Sequence, residues 1–281
     1  MRAISGTTRL AGVIGAPIRH SLSPAIFNAA FAACDLDWVY LAFEVPPGDA
    51  PAAIAAMRAL EMGGLSVTMP HKDAVAALVD RSTPEADALG AVNCVASVND
   101  ELVGANTDGP GFLDALAAEI AFDARGRRVV VFGAGGAARA IVYSLARAGA
   151  ADVAVVNRSE ARADVAAALG GPVGRVAAAA TVAEAIAGAD LVVNATSVGM
   201  GDGQTPFDPS LLTPGQIVAD VVYHPTPTPL VAAAGERGVE AIGGLGMLVH
   251  QAGHAFRLWT GIAPPLEAMT TAARTALAER I

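Results

Sequence analysis

Cysteine is nearly absent: Cys34 and Cys94 are the only two in 281 residues, too few and too far apart for a disulfide framework or a cysteine-built metal cluster. A reducing compartment and no metal site are the expectations. Basic residues are also scarce, 18 Lys and Arg against 27 Asp and Glu for a net charge of −9. Nucleic acid, whose phosphates require a basic face, is thereby disfavoured as a partner; a small anionic substrate, which meets only a local site, is not. Charged residues of both signs make up 16% of the chain and hydrophobic ones 53%, a balance that argues against disorder and supplies a large core. Yet no apolar run reaches the ~18 residues of a membrane span, and the opening "MRAISGTTRL" lacks the apolar centre of a signal peptide. The expectation is a cytoplasmic protein with no membrane partner.

What the chain does contain is an alternation. "RLAGVIG", "WVYLAFEV", "LSVTM", "NCVASV", "RVVVFG", "DVAVVN", "DLVVNAT" and "QIVADVVY" read as strands, whereas "SPAIFNAAFAA", "PAAIAAMRALEM", "GAARAIVYSLARAG" and "SEARADVAAALG" carry apolar residues at helical spacing. This predicts an α/β fold with mostly parallel sheets covered by helices. Ser23 followed by Pro24 predicts a helix start, with serine as cap and proline in the first turn. The basic, glycine-bearing turn in "FDARGRRVVVFGAGG" opens a fresh β-α-β unit and places a domain boundary near Asp108; the strand "VEAIGG" closes that unit near Gly243. On periodicity alone the two helical stretches that follow could pack on either domain.

Gly133, Gly135 and Ala138 in "VVVFGAGGAARA" fit the dinucleotide pattern G-x-G-x-x-G/A, directly after a β-branched run and directly before a helix. The first glycine permits the tight turn, the second a close approach of backbone to pyrophosphate, and the small third residue the packing of helix on strand. Phosphates would sit at the helix N-terminus, where free N–H groups and the helix dipole favour anions. An NAD-binding chain of this type ends its second strand on a carboxylate that holds the ribose 2′-OH. Here "DVAVVN" ends on Asn157, Arg158 and Ser159, with Arg162 one turn later. The guanidinium fork suits a 2′-phosphate, so the expected cofactor is NADP. "NATSVGM" and "DVVYHPTPTPL" also follow strands, where ligands of open α/β sheets bind.

The first half of the chain supplies polar groups of a different kind. "GAPIRHSLSPAIFN" sets Ser21 and Ser23 ahead of a helix, "GGLSVTMPHK" sets Thr68 and Lys72 after a strand, and "GAVNC" and "GANTDGPG" add Asn93, Asn106 and Asp108. Together they suit a polyhydroxylated acid. Taken singly, each has an ordinary structural role: Ser23 a helix cap, Asn93 a turn closure, Lys72 a solvated charge.

Nine motifs in order carry a more specific signal: "GAPIRHSLSP", "GLSVTMPHK", "GAVNC", "NTDGPG", "GAGGAARA", "NRS", "NATSVGM", "DVVYHPTPTPL" and "GLGMLVHQA". Over essentially its full length the chain resembles the shikimate dehydrogenase family. The resemblance implies two α/β domains: a substrate domain over 1–107, completed by C-terminal helices of 243–281, and a Rossmann-type NADP-binding domain over 108–242. It implies Lys72 and Asp108 as the catalytic pair. Ser21, Ser23, Ser66, Thr68, Asn93, Tyr223 and Gln251 are the implied substrate contacts beside them. Gly133, Ala134, Gly135, Gly136, Ala137, Asn157, Arg158, Ser159, Arg162, Val221 and Gly244 are the implied cofactor contacts.

Three positions depart from the common family pattern. Ser66 stands where many members have asparagine, Phe27 replaces a frequent histidine, and Cys94 a frequent threonine. The short side chain of Ser66 leaves the choice among shikimate, quinate and their amino analogues open. The expected activity is reversible, NADP-dependent reduction of 3-dehydroshikimate to shikimate, on the route to chorismate and aromatic amino acids. The alternatives are a quinate/shikimate dehydrogenase of broader specificity and a non-catalytic NADP-binding sensor; the presence of both Lys72 and Asp108 argues against the sensor. A small-molecule substrate is the expected partner, and a homodimer is compatible with the sequence.

Overall fold

The computed structural model describes residues 3–279. The chain forms two compact units: one runs to Thr107 and resumes at Val249, the other is Asp108–Leu248.

The first unit contains β1 (Arg9–Gly15), α1 (Ser23–Ala33), β2 (Trp38–Glu44), α2 (Ala50–Ala59), β3 (Gly64–Val67), α3 (Lys72–Ala76), β4 (Arg81–Ser82), α4 (Pro84–Leu89), β5 (Cys94–Val98) and β6 (Glu101–Ala105). Its sheet has the order β2-β1-β3-β5-β6-β4. Parallel pairing of β1 with β2 and β3 brings Gly15, Glu44 and Val67 to one edge. The segments leaving that edge carry Ser21, Ser23, Thr68 and Lys72. Strand β5 runs against both neighbours. It is joined to β6 through Asn99 and Asp100, with φ of 50° and 65°, the left-handed conformation at both central positions that tight hairpins need and Asn and Asp tolerate. The first strand of this hairpin matches the predicted "NCVASV", but the second has no counterpart among the sequence-predicted strands: "ELVGA" is short and begins on a charge, and its signal lies in the Asn99-Asp100 pair.

Helix α1 begins on Ser23, with Leu22 at the capping position and no side-chain cap. The predicted capping role of Ser23 is therefore corrected: its hydroxyl is not spent on the helix end. The apolar face of α1 meets the C-terminal helices. These are α10 (Leu245–Thr260) and α11 (Leu266–Ala278); from Val249 on they belong to the first unit. The Trp259 Nε1–H donates to the Val95 carbonyl at 3.0 Å, and Phe31 packs on Phe256 with ring centres 5.8 Å apart. Ile14, Ile54, Met57, Leu65, Val75, Val95 and Leu102 fill a core within the same unit.

The second unit contains α5 (Asp108–Ile120), β7 (Arg128–Phe132), α6 (Gly136–Arg147), β8 (Asp152–Val156), α7 (Glu160–Ala168), β9 (Gly174–Val176), α8 (Val182–Ala187), β10 (Leu191–Asn194), β11 (Ile217–Asp220), α9 (Pro229–Glu236) and β12 (Glu240–Ile242). All its strands are parallel, in the order β12-β11-β10-β7-β8-β9. This is the doubly wound arrangement whose ligand crevice opens at the strand C-termini beside the first strand. Side-chain alternation along β7 splits its residues between two cores. Val129 and Val131 join Phe112, Ile141 and Leu145 on one side; Val130 and Phe132 join Ile186, Val192 and Leu230 on the other. Among the described residues no helix is long and apolar enough to cross a membrane.

Candidate active site

In the first unit the candidate substrate residues emerge from adjacent strand ends, tied together by main-chain bonds. Ala16 N–H donates to the Met69 carbonyl and Thr68 N–H to the Ile14 carbonyl, each at 3.0 Å; the serine-bearing loop is thus fixed to the one that carries Thr68. Ser23 N–H donates to Ser21 Oγ at 3.2 Å. Lys72 opens α3 directly after His71, whose Nε2–H donates to the Val45 carbonyl at 2.8 Å. The Lys72 carbonyl accepts from Val92 N–H at 3.0 Å, and the Asn93 carbonyl accepts from Val67 N–H at 2.7 Å.

A buried polar chain continues from there. Asn93, only 4% exposed, donates through Nδ2 to Thr107 Oγ1 at 3.0 Å and accepts from Thr107 N–H at 2.8 Å. The Thr107 hydroxyl donates to Gln251 Oε1 at 3.4 Å. Asn106 Nδ2 donates to the Ala91 carbonyl at 3.0 Å. Asn93 and Gln251, assigned from motifs far apart in sequence, are thus joined through Thr107. Thr107 itself was not singled out, although it lies inside the quoted "GANTDGPG".

The candidate residues divide between the units. Ser21, Ser23, Ser66, Thr68, Lys72, Asn93 and Gln251 lie on the first, and Asp108, which opens α5, lies on the second with Tyr223 and every candidate cofactor residue.

In the second unit, β7 runs into Gly133, which has φ of +110°, and a Cβ there would stand 2.8 Å from the Ala195 carbonyl oxygen. The fold itself therefore demands glycine at 133. Gly135, at the cap of α6, has an ordinary φ of −81°, and a Cβ on it would meet nothing within 4 Å. No protein atom requires glycine at 135; the open space ahead of the α6 N-terminus is what a pyrophosphate needs from it. At the end of β8, Asn157 Nδ2 donates to the Ser159 carbonyl at 2.9 Å, shaping the turn. Arg158 and Arg162 on either side of Ser159 are both exposed. The residues present fit an NADP-type ligand: open glycine backbone, a free helix start and two guanidinium groups beyond the second strand.

The remaining strand ends share one carboxylate. Asp220 is 2% exposed and accepts from Asn194 Nδ2 at 2.8 Å, Thr228 Oγ1 at 2.7 Å and Val222 N–H at 3.0 Å. Burial raises its pKa above the ordinary carboxylate value; the bonds from Thr228, Val222 N–H and Asn194 pull the other way. The network fixes the "NATSVGM" turn to the Val221–Thr228 loop, and Val221 N–H donates to the Asn194 carbonyl at 2.9 Å. Gly244 packs so tightly on the Val221 carbonyl that any side chain there would collide with it. Asp220 was not among the candidates, because a strand-terminal aspartate carries no sequence signal of what it will accept.

Comparison with known proteins agrees with this geometry. Residues 13–95 match the family model described as the shikimate dehydrogenase substrate binding domain, residues 115–200 that of shikimate / quinate 5-dehydrogenase, and residues 244–274 that of the shikimate 5′-dehydrogenase C-terminal domain. A shikimate dehydrogenase (NADP(+)) from Geobacter metallireducens is 48% identical, with 93% of this chain and 94% of the relative covered. One from Moorella thermoacetica is 44% identical over 99% and 96%. The Thermus thermophilus shikimate 5-dehydrogenase, solved in complex with NADP(H) and shikimate, superposes with a TM-score of 0.89 at 38% identity, covering 96% of this chain and 100% of that one. Quinate dehydrogenase from Corynebacterium glutamicum, solved with NAD, gives 0.88 at 35% over 95% and 99%. Similarity of this extent, running through the substrate-binding region, the nucleotide-binding sheet and the C-terminal helices alike, shows that the chain belongs to the shikimate dehydrogenase family.

Proposed function

We propose that the protein catalyses the reversible, NADP-dependent reduction of 3-dehydroshikimate to shikimate. The observation that carries this reading is the hydroxyl and amide chain of the first unit, buried Asn93 and Thr107 with half-buried Gln251, built beside the strand end that bears Thr68 and Lys72. Polar groups held by one another in this way suit a polyol acid, and buried polar side chains are otherwise costly. The nicotinamide cofactor supplies the hydride. As the C3 carbonyl oxygen of the substrate gains negative charge, the Lys72 ammonium stabilises it and delivers the proton that completes the alcohol. Asp108 orients Lys72 and accepts a hydrogen bond from a neighbouring substrate hydroxyl. Ser21, Ser23, Ser66, Thr68, Asn93, Tyr223 and Gln251 complete the substrate contacts. The Gly133–Ala137 turn holds the pyrophosphate, Asn157, Arg158, Ser159 and Arg162 the adenosine 2′-phosphate end, and Val221 and Gly244 the far end of the cofactor.

In this reading residues 1–107 with 243–281 form the substrate domain, residues 108–242 the cofactor domain, and the protein acts in the cytoplasm as a homodimer. Steady-state NADP reduction, measured side by side with shikimate and quinate, tests the activity; a kcat/KM for quinate above that for shikimate overturns the substrate assignment. A monomer mass by light scattering removes the dimer.

A further inference from the structure

Tyr40 lies on the second strand of the first unit and is completely buried. Its main chain is fixed: Asn28 Nδ2 donates to the Tyr40 carbonyl and Tyr40 N–H to Asn28 Oδ1, both at 2.9 Å. Its ring is also fixed. Phe27 stacks on it at 4.4 Å with planes 10° apart, and Trp259 lies 6.0 Å away at 28°. The Trp259 ring in turn occupies the space over Gly64, which no side chain could share. The packing fixes where the phenol oxygen lies. That hydroxyl has no partner, and among the described residues it is the one buried side-chain polar atom left without a hydrogen bond.

Strand register shows what the hydroxyl faces. Tyr40 is level with Ala11, and Ala11 with Gly64; Ser66, two residues beyond Gly64, projects from the same face of the sheet. On the helix above, Ser23 precedes Phe27 by four residues and so shares the helix face that stacks on Tyr40. The phenol thus points into the angle between Ser23 and Ser66. Burial pushes the pKa of this phenol far up, and hydrogen bonding toward the nearby Ser66 and Ser23 hydroxyls pulls it back, although neither hydroxyl stands in hydrogen-bonding geometry with it in the free protein. Phe27, Ser66 and Cys94, the three departures noted in the sequence, border this same ring: Ser66 and Cys94 are cross-strand partners.

We propose that Tyr40 is a positioning residue for substrate: its unpartnered hydroxyl stands ready behind Ser23 and Ser66 and forms its hydrogen bond when those two serines turn to take the substrate's polar groups. An unmet buried donor costs stability in the free protein, and natural chains keep such a group where it serves another purpose. The two roles it could play have opposite signatures. A residue that only holds the fold loses stability when truncated. A hydroxyl held in reserve for the bound state leaves stability unchanged or raised when it is removed, and substrate binding weakens.

This inference rests on the proposed function, so wild type, Lys72→Ala and Tyr40→Phe are compared together with shikimate and NADP. Tyr40→Phe keeps the ring and its stacking. The expected result is a shikimate KM raised about three- to tenfold, the loss of one neutral hydrogen bond, with NADP KM and kcat little changed and a Tm equal to or above that of wild type. A shikimate KM within twofold of wild type overturns the proposal, and so does a raised KM accompanied by a lower Tm, which assigns the effect to loosened packing. Wild type that turns over no shikimate, or Lys72→Ala with normal kcat, defeats the functional reading instead. A double-mutant cycle with Ser66→Ala and Ser23→Ala supplies a second check: the KM effects of Tyr40→Phe should shrink when the serine through which it acts is gone, and full additivity with both serines overturns the proposal.

Discussion

The candidate binding regions of the two units are built on opposite principles. In the first unit polar groups are bonded to one another and partly buried, as in the chain from buried Asn93 and Thr107 to half-buried Gln251. In the second the key features are an empty space at Gly135 and two exposed arginines. A small polyol must find every donor already aimed, because each misplaced one is a lost contact; a dinucleotide needs room for its backbone and a charge at its far end. Substitutions within the bonded chain of the first unit, at Asn93 or Thr107, should therefore disturb both fold and function, whereas those at Gly135 or the arginines of the second should change ligand binding alone.

The largest expected effect falls on Lys72. Removing a general acid costs about 10²- to 10⁴-fold in rate, so Lys72→Ala should lose kcat on that scale while shikimate binding changes far less. Asp108→Asn should lose less than Lys72→Ala. Near-normal kcat in Lys72→Ala, measured under saturating substrate and cofactor, removes the lysine from the chemistry.

Arg158 comes next. One hydrogen bond to a charged group contributes about 1.5 to 3 kcal/mol, so Arg158→Ala should weaken NADP binding by roughly 10- to 150-fold. NAD, without the 2′-phosphate, should hardly respond. Titration of both proteins with both cofactors reads the difference, and equal losses would give the arginine to the fold or to the pyrophosphate.

The glycine pair sharpens the contrast within a single turn. Gly133→Ala forces a side chain onto a φ of +110° and against Ala195, and should cost about 1 to 3 kcal/mol of stability. Gly135→Ala has neither problem, so its Tm should stay near wild type while NADP affinity falls. If both variants unfold at the same reduced temperature, the space at Gly135 belongs to the fold after all.

The legibility of the sequence follows the same division. The all-parallel sheet of the second unit was readable because its central strands are buried, mostly β-branched runs, such as Val129–Phe132, and because G-x-G-x-x-A follows one of them directly; its edge strand β9, half-exposed, was not. The first sheet was harder. The β5–β6 hairpin depends on two residues of positive φ, and the polar chain depends on Thr107 meeting Asn93 and Gln251, 14 and 144 residues away. Such encounters leave no periodicity. Residue roles came instead from whole motifs, which name the groups that meet ligand and pass over those behind them: Tyr40 and Asp220 each lie one layer behind a candidate residue.

The two cysteines give a smaller contrast. Burial pushes the Cys94 thiol up to about 12, while the Trp259 indole N–H pulls it down; Cys34 is half-exposed. A thiolate-directed reagent at pH 8 should label Cys34 alone in the folded protein and both in denaturant. Labelling of Cys94 in the native state faster than global unfolding would show that the aromatic cluster around Trp259 opens locally.

The smallest expected effect is on pH dependence, through Asp220. Its folded pKa is raised by burial, so between its unfolded and folded values the native state binds more protons than the unfolded chain. The corresponding stability is complete below the unfolded carboxylate value of about 3.9 and is lost as pH rises through the folded one. Asp80 works in the opposite sense: bonds from Leu102 N–H and Arg58 lower its pKa, and its contribution disappears as pH falls. Asp220→Asn keeps an acceptor for Asn194 and Val222, and the Thr228 hydroxyl can reverse and accept from the new amide. Fold and network should therefore persist, with stability at pH 7 equal to wild type or slightly above it. As pH is lowered from 7 to 4, wild type should gain on Asp220→Asn, since only wild type takes up the proton. Chemical denaturation of both proteins across that range checks the sign. A wild type that loses ground to Asp220→Asn on acidification would mean that the three hydrogen bonds outweigh burial and hold Asp220 charged.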